Sequence, residues 1–319
     1  MSQNQPKSSK VQTNKSKAKI KGLAFVFLAY VVASIAAYFT GKIYLQDKHP
    51  LLVGFVCDVL ATVVVFAFSV IAQNSSLYDP YWSVLPVPLF VYFLQESKSI
   101  TYGYEPNLVR QVMVLIVVSI WSLRLTWNWI RGWSGLTQED WRYVDLQKSC
   151  RRFYWIVSFL GIHMFPTILV YLGCMSFWPS LTSSRAINVF DLLAFSVCLM
   201  GVSFEFFADN QLRSFVLAKH PKGSILKTGI WAWSRHPNYF GEISFWWGIW
   251  LFSLATKGPY VNLAGPVGMT VLFCFISLPM IEKRHLKSRP KYPEYAKTTP
   301  AIFPFPPSKA KSPRTLKQD

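Results

Sequence analysis

Acid is scarce in this sequence. Asp and Glu number 15 against 33 Lys and Arg in 319 residues, and charged residues of both signs make up only 15% of the chain. Soluble domains carry about a quarter of their residues as charges, so this chain cannot clothe two ordinary soluble domains. Cysteine is also sparse, with five residues (Cys57, Cys150, Cys174, Cys198 and Cys274) and no C-x-x-C spacing. A disulfide framework and a structural zinc site are therefore not indicated, and no metal is expected. G-x-G-x-x-G, the P-loop lysine, G-x-S-x-G and H-E-x-x-H are all missing. Their absence removes the sequence support for a Rossmann site, an NTPase, a hydrolase triad and a zincin.

What fills the chain is apolar: 52% hydrophobic and 17% aromatic residues. The runs at 22–44, 51–72, 81–94, 108–130, 153–177, 189–208, 239–255 and 261–281 predict an all-α, polytopic transmembrane helical bundle of about seven or eight spans. The run at 81–94 is short and interrupted by Pro86 and Pro88, which suits a half-helix or re-entrant element. Residues 1–21 hold six lysines and no acid and read as a disordered basic tail. Residues 22–307 form one transmembrane domain, with its cofactor-binding part at about 200–300, and 308–319 form a second basic tail.

Eight spans put both tails on one side. The loops at 131–152, 209–238 and 282–319 share that side and hold most of the remaining Lys and Arg, which makes it cytosolic. The net charge of +18 thus faces anionic membrane lipid, and no nucleic-acid partner is expected.

Ionisable groups within apolar runs carry a penalty of several kcal/mol unless they face the bundle interior. One cluster is Tyr78-Asp79-Pro80-Tyr81-Trp82, which reads equally as a helix N-terminus capped by Asp79 and as an acid between two phenols. Another is Trp121, Arg124, Asn128 and Arg131, on one helical face and followed by Glu139-Asp-Trp-Arg-Tyr143. A third is Glu205, Asp209 and Arg213, spaced by four and four, which forms either a self-satisfying ladder or the wall of a ribose or amide site. His163, three residues before Pro166, fits a polar group satisfied at a kink.

The densest polar chemistry lies in Gly229-Ile-Trp-Ala-Trp-Ser-Arg-His-Pro-Asn-Tyr-Phe-Gly-Glu242, at the mouth of an apolar run. Arg235 and His236 supply positive charge, Asn238 and Tyr239 amide and phenol donors, and Glu242 an acid. Past the last run, Glu282-Lys-Arg-His-Leu-Lys-Ser-Arg-Pro-Lys-Tyr292 sets aromatics among cations. Cations neutralise phosphates, aromatics stack on planar rings and amides bond amides, an inventory that suits a nucleotide-like cofactor.

Together, Asp79-Pro-Tyr-Trp82, Trp121-Ser-Leu-Arg-Leu125, Glu139-Asp-Trp-Arg-Tyr143, Glu205-x-x-x-Asp209, Ser234-Arg-His-Pro-Asn-Tyr-Phe-Gly-Glu242 and Glu282-x-x-x-Leu286 resemble the steroid 5-alpha-reductase-like family of integral membrane proteins. The resemblance covers roughly residues 50–307 and is narrower to the DUF1295 branch. It implies an NADPH-dependent reductase of a carbon–carbon double bond in a lipid or sterol-like enone, with an endoplasmic-reticulum address. It assigns the cofactor to Glu205, Asp209, Arg213, Arg235, His236, Asn238, Tyr239, Glu242, Arg284, His285 and Tyr292. Such reductases polarise the substrate ketone with an acid and a tyrosine from the N-terminal half, and by chemistry and depth those are Asp79 and Tyr81. The wider superfamily includes isoprenylcysteine and phospholipid methyltransferases that use S-adenosylmethionine, and that reading stays open beside a non-catalytic sterol-binding bundle. Glu282-Lys283 stands where those enzymes carry a Glu-Glu pair, which weakens the methyltransferase reading.

Overall fold

The computed structural model describes the backbone of residues 6–98 and 104–306, and side chains from residue 15 onward. The expected tail at 308–319 and residues 1–5 lie outside the described residues. The remainder is helical, with no strand among the described residues. In chain order the helices are α1 (Pro6–Tyr44), α2 (Pro50–Ala72), α3 (Tyr81–Val84), α4 (Pro86–Glu96), α5 (Leu108–Gly132), α6 (Trp141–Cys150), α7 (Tyr154–Val157), α8 (Phe165–Cys174) and α9 (Phe177–Thr182). Then follow α10 (Val189–Leu217), α11 (Pro237–Ala255), α12 (Ala264–Val271), α13 (Leu278–Ser288) and α14 (Tyr292–Thr298).

Six helical stretches among the described residues are long and apolar enough to cross a membrane: 15–44, 50–72, 108–132, 141–182, 189–217 and 260–288. Many of their apolar side chains point outward, including Phe27, Ile35, Leu123, Leu160, Leu192 and Phe275. Such a surface is tolerable only against lipid. The protein is an integral, multi-pass membrane protein built as a helical bundle. Two of the eight expected spans are not among the six. The run at 81–94 is divided between α3 and α4, of 4 and 11 residues, because Pro86 opens a new helix. The run at 239–255 lies in the 19-residue α11, whose tryptophans, Asn238, Glu242 and serines dilute its apolarity. At the N-terminus the helix starts well ahead of the apolar run, at Pro6.

Local chemistry accounts for the boundaries. His49 Nδ1 accepts from Leu51 N at 3.2 Å with Pro50 at the first helical position of α2, and Gln73 ends that helix at φ 51°. Asn107 caps α5 through Arg110 N at 3.2 Å, and Asp140 caps α6 through Arg142 N at 2.8 Å. Two segments, Ser158–Met164 and Leu272–Ser277, are wound as π-helix, and each ends two residues before a proline, Pro166 and Pro279. A proline offers no N–H and crowds the carbonyl four residues back, so the preceding turn widens.

The chain divides into two compact units. The first comprises residues 1–191 and 252–265, the second 192–251 and 266–319. In the first, α1 and α2 lie along each other, with a core of Ala33, Ala61, Val65, Tyr78 and Tyr81 and a neighbouring one of Val26, Leu77 and Trp133. Arg110 and Asp191 also meet there, both fully buried: Nε to Oδ1 is 2.6 Å and Nη2 to Oδ2 2.9 Å, while Nη1 and Nη2 also donate to the carbonyls of Arg185 and Ala186. In the second unit, Gly201 and Gly241 let α10 and α11 touch at the backbone, since a Cβ on Gly241 would lie 2.5 Å from both Gly201 O and Glu205 Cγ.

Candidate functional site

Polar chemistry gathers in one place in each unit. In the first, the expected partnership of Asp79 with Tyr81 is not formed. The buried Tyr81 hydroxyl donates instead to Asp58 Oδ1 at 3.0 Å. Asp79, half-buried, accepts from the Tyr143 hydroxyl at 2.6 Å. Successive residues of a helical turn point in different directions, so the two side chains diverge although they are two positions apart. Asp58 lies on α2, is 2% exposed, and its Oδ2 has no partner. It escaped the sequence reading although the signal was present: an acid in the middle of the apolar run at 51–72.

Around this pair the interior is lined with hydroxyls. Thr62 and Thr167 share a hydrogen bond at 2.7 Å, Tyr78 meets Thr167 at 2.7 Å, and the Tyr78 ring lies 5.1 Å from Tyr81 and 4.9 Å from His163. Nearer the α5–α6 loop, Glu139 Oε1 accepts from Ser75 N at 2.8 Å and from the Tyr154 hydroxyl at 3.3 Å. Asn74 donates to the carbonyls of Leu136 and Gln138, and Asp140 N donates to Ser76 Oγ at 2.9 Å. These bonds fasten the Glu139–Tyr143 segment to the Asn74–Asp79 segment. Burial pushes the Asp79 carboxyl up to about 6, against the Tyr143 hydrogen bond and the charge of Arg142, which lower it.

In the second unit the residues of the 229–242 stretch and of α13 and α14 converge on Glu282. Arg235 meets it with Nε at 3.0 Å and Nη2 at 3.1 Å, His236 Nε2 stands 2.8 Å from Oε1, and the Tyr292 hydroxyl donates to Oε1 at 2.6 Å. Arg235 Nη1 donates to the carbonyls of Ala296 and Thr299, and the backbone N–H groups of Arg235 and His236 donate to those of Pro300 and Ala301. Arg235 and His236, expected to bind the cofactor, are thus engaged inside the protein. Burial lowers His236, with Glu282 opposing; at Arg235 burial also lowers, but Glu282 prevails and the guanidinium is raised. The Tyr292 phenol is raised by burial and by Glu282.

The neighbouring residues retain more capacity. His236 stacks on Tyr239 with centroids 5.3 Å apart and on His285 at 6.2 Å, and His285 Nδ1 and Asn238 Oδ1 are both buried without a partner. Glu242 accepts from Trp246 Nε1 at 3.1 Å, and Glu205 is buried against Gly241. Asp209 and Arg213 lie half-buried on α10, and Arg284 is exposed on α13. Two open clefts mark the same unit. One of about 750 Å³ is lined by His220, Lys227, Lys291 and Tyr295, and one of about 440 Å³ by Gln211, Gly229 and Trp233. Asn238 and Glu242 line neither. Among the described residues no group of three or more His, Cys, Asp or Glu is placed to hold a metal ion.

Comparison with known proteins places the chain. No solved structure matches it. A protein of Schizosaccharomyces pombe, named "Uncharacterized protein C594.04c", is 25% identical over 305 residues, covering 86% of this chain and 87% of its own length. Residues 65–299 match the family described as "Protein of unknown function (DUF1295)". That span takes in Tyr78, Asp79 and Tyr81 of the first cluster, though not Asp58 on α2, and the second cluster from Arg235 to Tyr295, and the chain belongs to the DUF1295 family.

Proposed function

We propose that the protein is a membrane-embedded, NADPH-dependent reductase of a carbon–carbon double bond in a lipid or steroid-like enone. The observation that carries this reading is the buried Asp58–Tyr81 pair, an acid and a phenol with one carboxyl oxygen unsatisfied. A buried orphan oxygen is costly unless something uses it. An enone reductase needs such a pair, because charge builds on the ketone oxygen as the double bond is reduced.

The second unit fits the cofactor in its donor set. Asn238 Oδ1 and His285 Nδ1 are buried and unsatisfied, as suits acceptors for a carboxamide or ribose. Glu205, Asp209, Arg213, Asn238, Tyr239, Glu242, Arg284 and His285 would hold NADPH, while Arg235, His236 and Tyr292 fix the wall through Glu282. When bound, the cofactor supplies hydride to the β-carbon of the enone. Tyr81 turns its hydroxyl to the ketone oxygen and gives up its proton there, and Asp58 returns one to the phenol. Tyr30, Tyr78 and the apolar faces around them exclude water. An endoplasmic-reticulum address with the cofactor side in the cytosol belongs to the same proposal, and the lysine-rich N-terminus and the basic stretches at 209–238 and 282–306 support that orientation.

The test is thermal stabilisation of the detergent-purified protein by NADPH, NADH and S-adenosylmethionine. A ligand present at 100 times its Kd stabilises by about 2.7 kcal/mol. NADPH should raise the midpoint and Asn238→Ala should remove the rise. Stabilisation by S-adenosylmethionine alone would transfer the second unit to the methyltransferase reading.

A further inference from the structure

The larger cleft of the second unit, about 750 Å³, has no part in the reaction proposed above, since none of the residues assigned to the cofactor lines it. Its surroundings draw cations from two stretches of chain. Lys219, Lys222 and Lys227 lie on the loop after α10, and Lys287, Arg289 and Lys291 lie at the junction of α13 and α14. Ser224 N donates to Pro221 O at 3.1 Å, and Gly223, at φ 85°, supplies the positive φ that the third position of a type II turn requires. A Cβ on Gly223 would lie 3.4 Å from Pro290 Cδ and 3.8 Å from Ser288 O, so this turn rests on the α13–α14 junction. The fold thus brings the two basic stretches together. Among the described residues none of the six side chains forms an ion pair. Like charges gathered without counter-charge repel one another, and a bound anion relieves that.

Lys227, Lys291, His220 and Ser224 line the cleft beside the rings of Phe215 and Tyr295. His220 is held against Phe215, with ring centroids 4.3 Å apart and planes at 25°. Ammonium, imidazole and hydroxyl can all donate, and Glu294 is the one acid among the lining residues. Phe215 sets the depth of the cleft in the membrane. It stands in the last turn of the membrane-crossing α10, next to Val216 and Leu217, which are 65% and 63% exposed. Apolar side chains so exposed at the end of a span belong where acyl chains give way to headgroups. Trp233, Phe303 and Phe305 are exposed in the same unit, Phe305 N donates to Trp233 O at 3.0 Å, and Ala232, next to Trp233, lines the cleft. Aromatic side chains collect at the headgroup level. At that depth a lipid headgroup reaches the cleft from the plane of the membrane.

We propose that this cleft binds the headgroup of a phospholipid that ends in a phosphomonoester, with Lys227, Lys291, His220 and Ser224 donating to the phosphate oxygens. A phosphomonoester carries up to about two negative charges and presents three strong acceptor oxygens, which suits several donors converging from two stretches of chain. A phosphodiester carries one charge and fewer free oxygens, and leaves part of that donor set unused. The lipid's chains lie along the exposed Val216 and Leu217 at the end of α10.

Native mass spectrometry of the detergent-purified protein, titrated with dioctanoyl phosphatidic acid, counts the bound lipids and measures their affinity. One lipid should bind ahead of the rest, and dioctanoyl phosphatidylglycerol, a phosphodiester with the same chains, should bind about tenfold or more weakly. Lys227→Gln combined with Lys291→Gln removes two charge-assisted hydrogen bonds and should weaken phosphatidic acid by about tenfold or more. Lys283→Gln combined with Lys297→Gln removes the same charge from exposed side chains of α13 and α14 that do not line the cleft, and should leave the affinity within about twofold. An equal fall in both double variants would show attraction by net charge alone and overturn the site. Unchanged affinity in the first double variant, or equal binding of phosphatidylglycerol, would overturn it too. So would either of two competitors: glycerol 3-phosphate displacing the lipid at equal concentration, which would give the cleft to a soluble phosphate, or NADPH displacing it, which would join the cleft to the cofactor site. The reductase reading is decided separately, by the NADPH stabilisation.

Discussion

Replacing Asp79 with asparagine should stabilise the protein at neutral pH, although it removes a charge held by a 2.6 Å hydrogen bond from Tyr143. Burial raises this carboxyl from 3.8 to about 6. An acid raised on folding gives stability that is complete below its unfolded value and is lost as pH rises through the folded one. At 1.36 kcal/mol per unit, ionised Asp79 costs about 3 kcal/mol at pH 7.5, and lowering the pH to 5 recovers roughly half of that, ~1.5 kcal/mol. The amide escapes the desolvation of a charge but forms a weaker bond to Tyr143, which returns ~1 kcal/mol. Asp79→Asn should therefore be more stable than the unsubstituted protein by about 1–2 kcal/mol at pH 7.5, with the gap closing or reversing at pH 5. Thermal unfolding in detergent across that range, followed by tryptophan fluorescence, measures it. Parallel curves for the two proteins, or a variant less stable at pH 7.5 than at pH 5 relative to the unsubstituted chain, would refute the account of a charge buried at a cost.

Three further outcomes follow from the packing. Glu282→Gln leaves the Arg235 guanidinium without its counter-charge and weakens the bonds from His236 and Tyr292, so it should lower stability by ~2–4 kcal/mol, read as a fall in unfolding midpoint. Gly241→Val places carbon 2.5 Å from the Gly201 carbonyl and Glu205, and should abolish the monodisperse peak in size-exclusion chromatography, whereas Ser196→Ala on the exposed face of α10 should retain it. Arg110→Ala should cost ~3–5 kcal/mol by stranding Asp191, and the double change Arg110→Leu with Asp191→Leu should restore much of that in the same unfolding assay.

The helical character and membrane class were legible in the sequence because apolar run length is a strong signal, and the described residues hold helices and no strand. The short run at 81–94 was also recognisable as irregular from its prolines. Span number was less legible: the run at 239–255 reads as a span, but the 19-residue α11 mixes tryptophans with polar residues and does not stand among the six stretches apolar enough to cross. At the candidate sites, spacing brought out Arg235 and His236 but not their destination. Glu282 lies 47 residues beyond Arg235, and no local period links them. The same holds for Tyr81 and Asp58, 23 residues apart. A pair assembled from two helices leaves only a lone acid in an apolar run as its mark, and Asp79, with its neighbouring tyrosines, was the more conspicuous acid. Arg110 and Asp191 show the limit most clearly, since each reads alone as an ordinary charge at a helix end.

That last pair also has a temporal side. Arg110 opens α5 and Asp191 opens α10, 81 residues later. At about 5–20 residues per second of synthesis, the arginine is made roughly 4–16 s before Asp191, the acid that pairs with it. An unpaired arginine well inside the bilayer costs ~2.5–3.5 kcal/mol, so in that interval α5 must keep its first turn at the lipid headgroups. The seating of α5 is therefore a late event in the life of the nascent chain. It completes only when the start of α10 emerges and Asp191 can pair with the arginine.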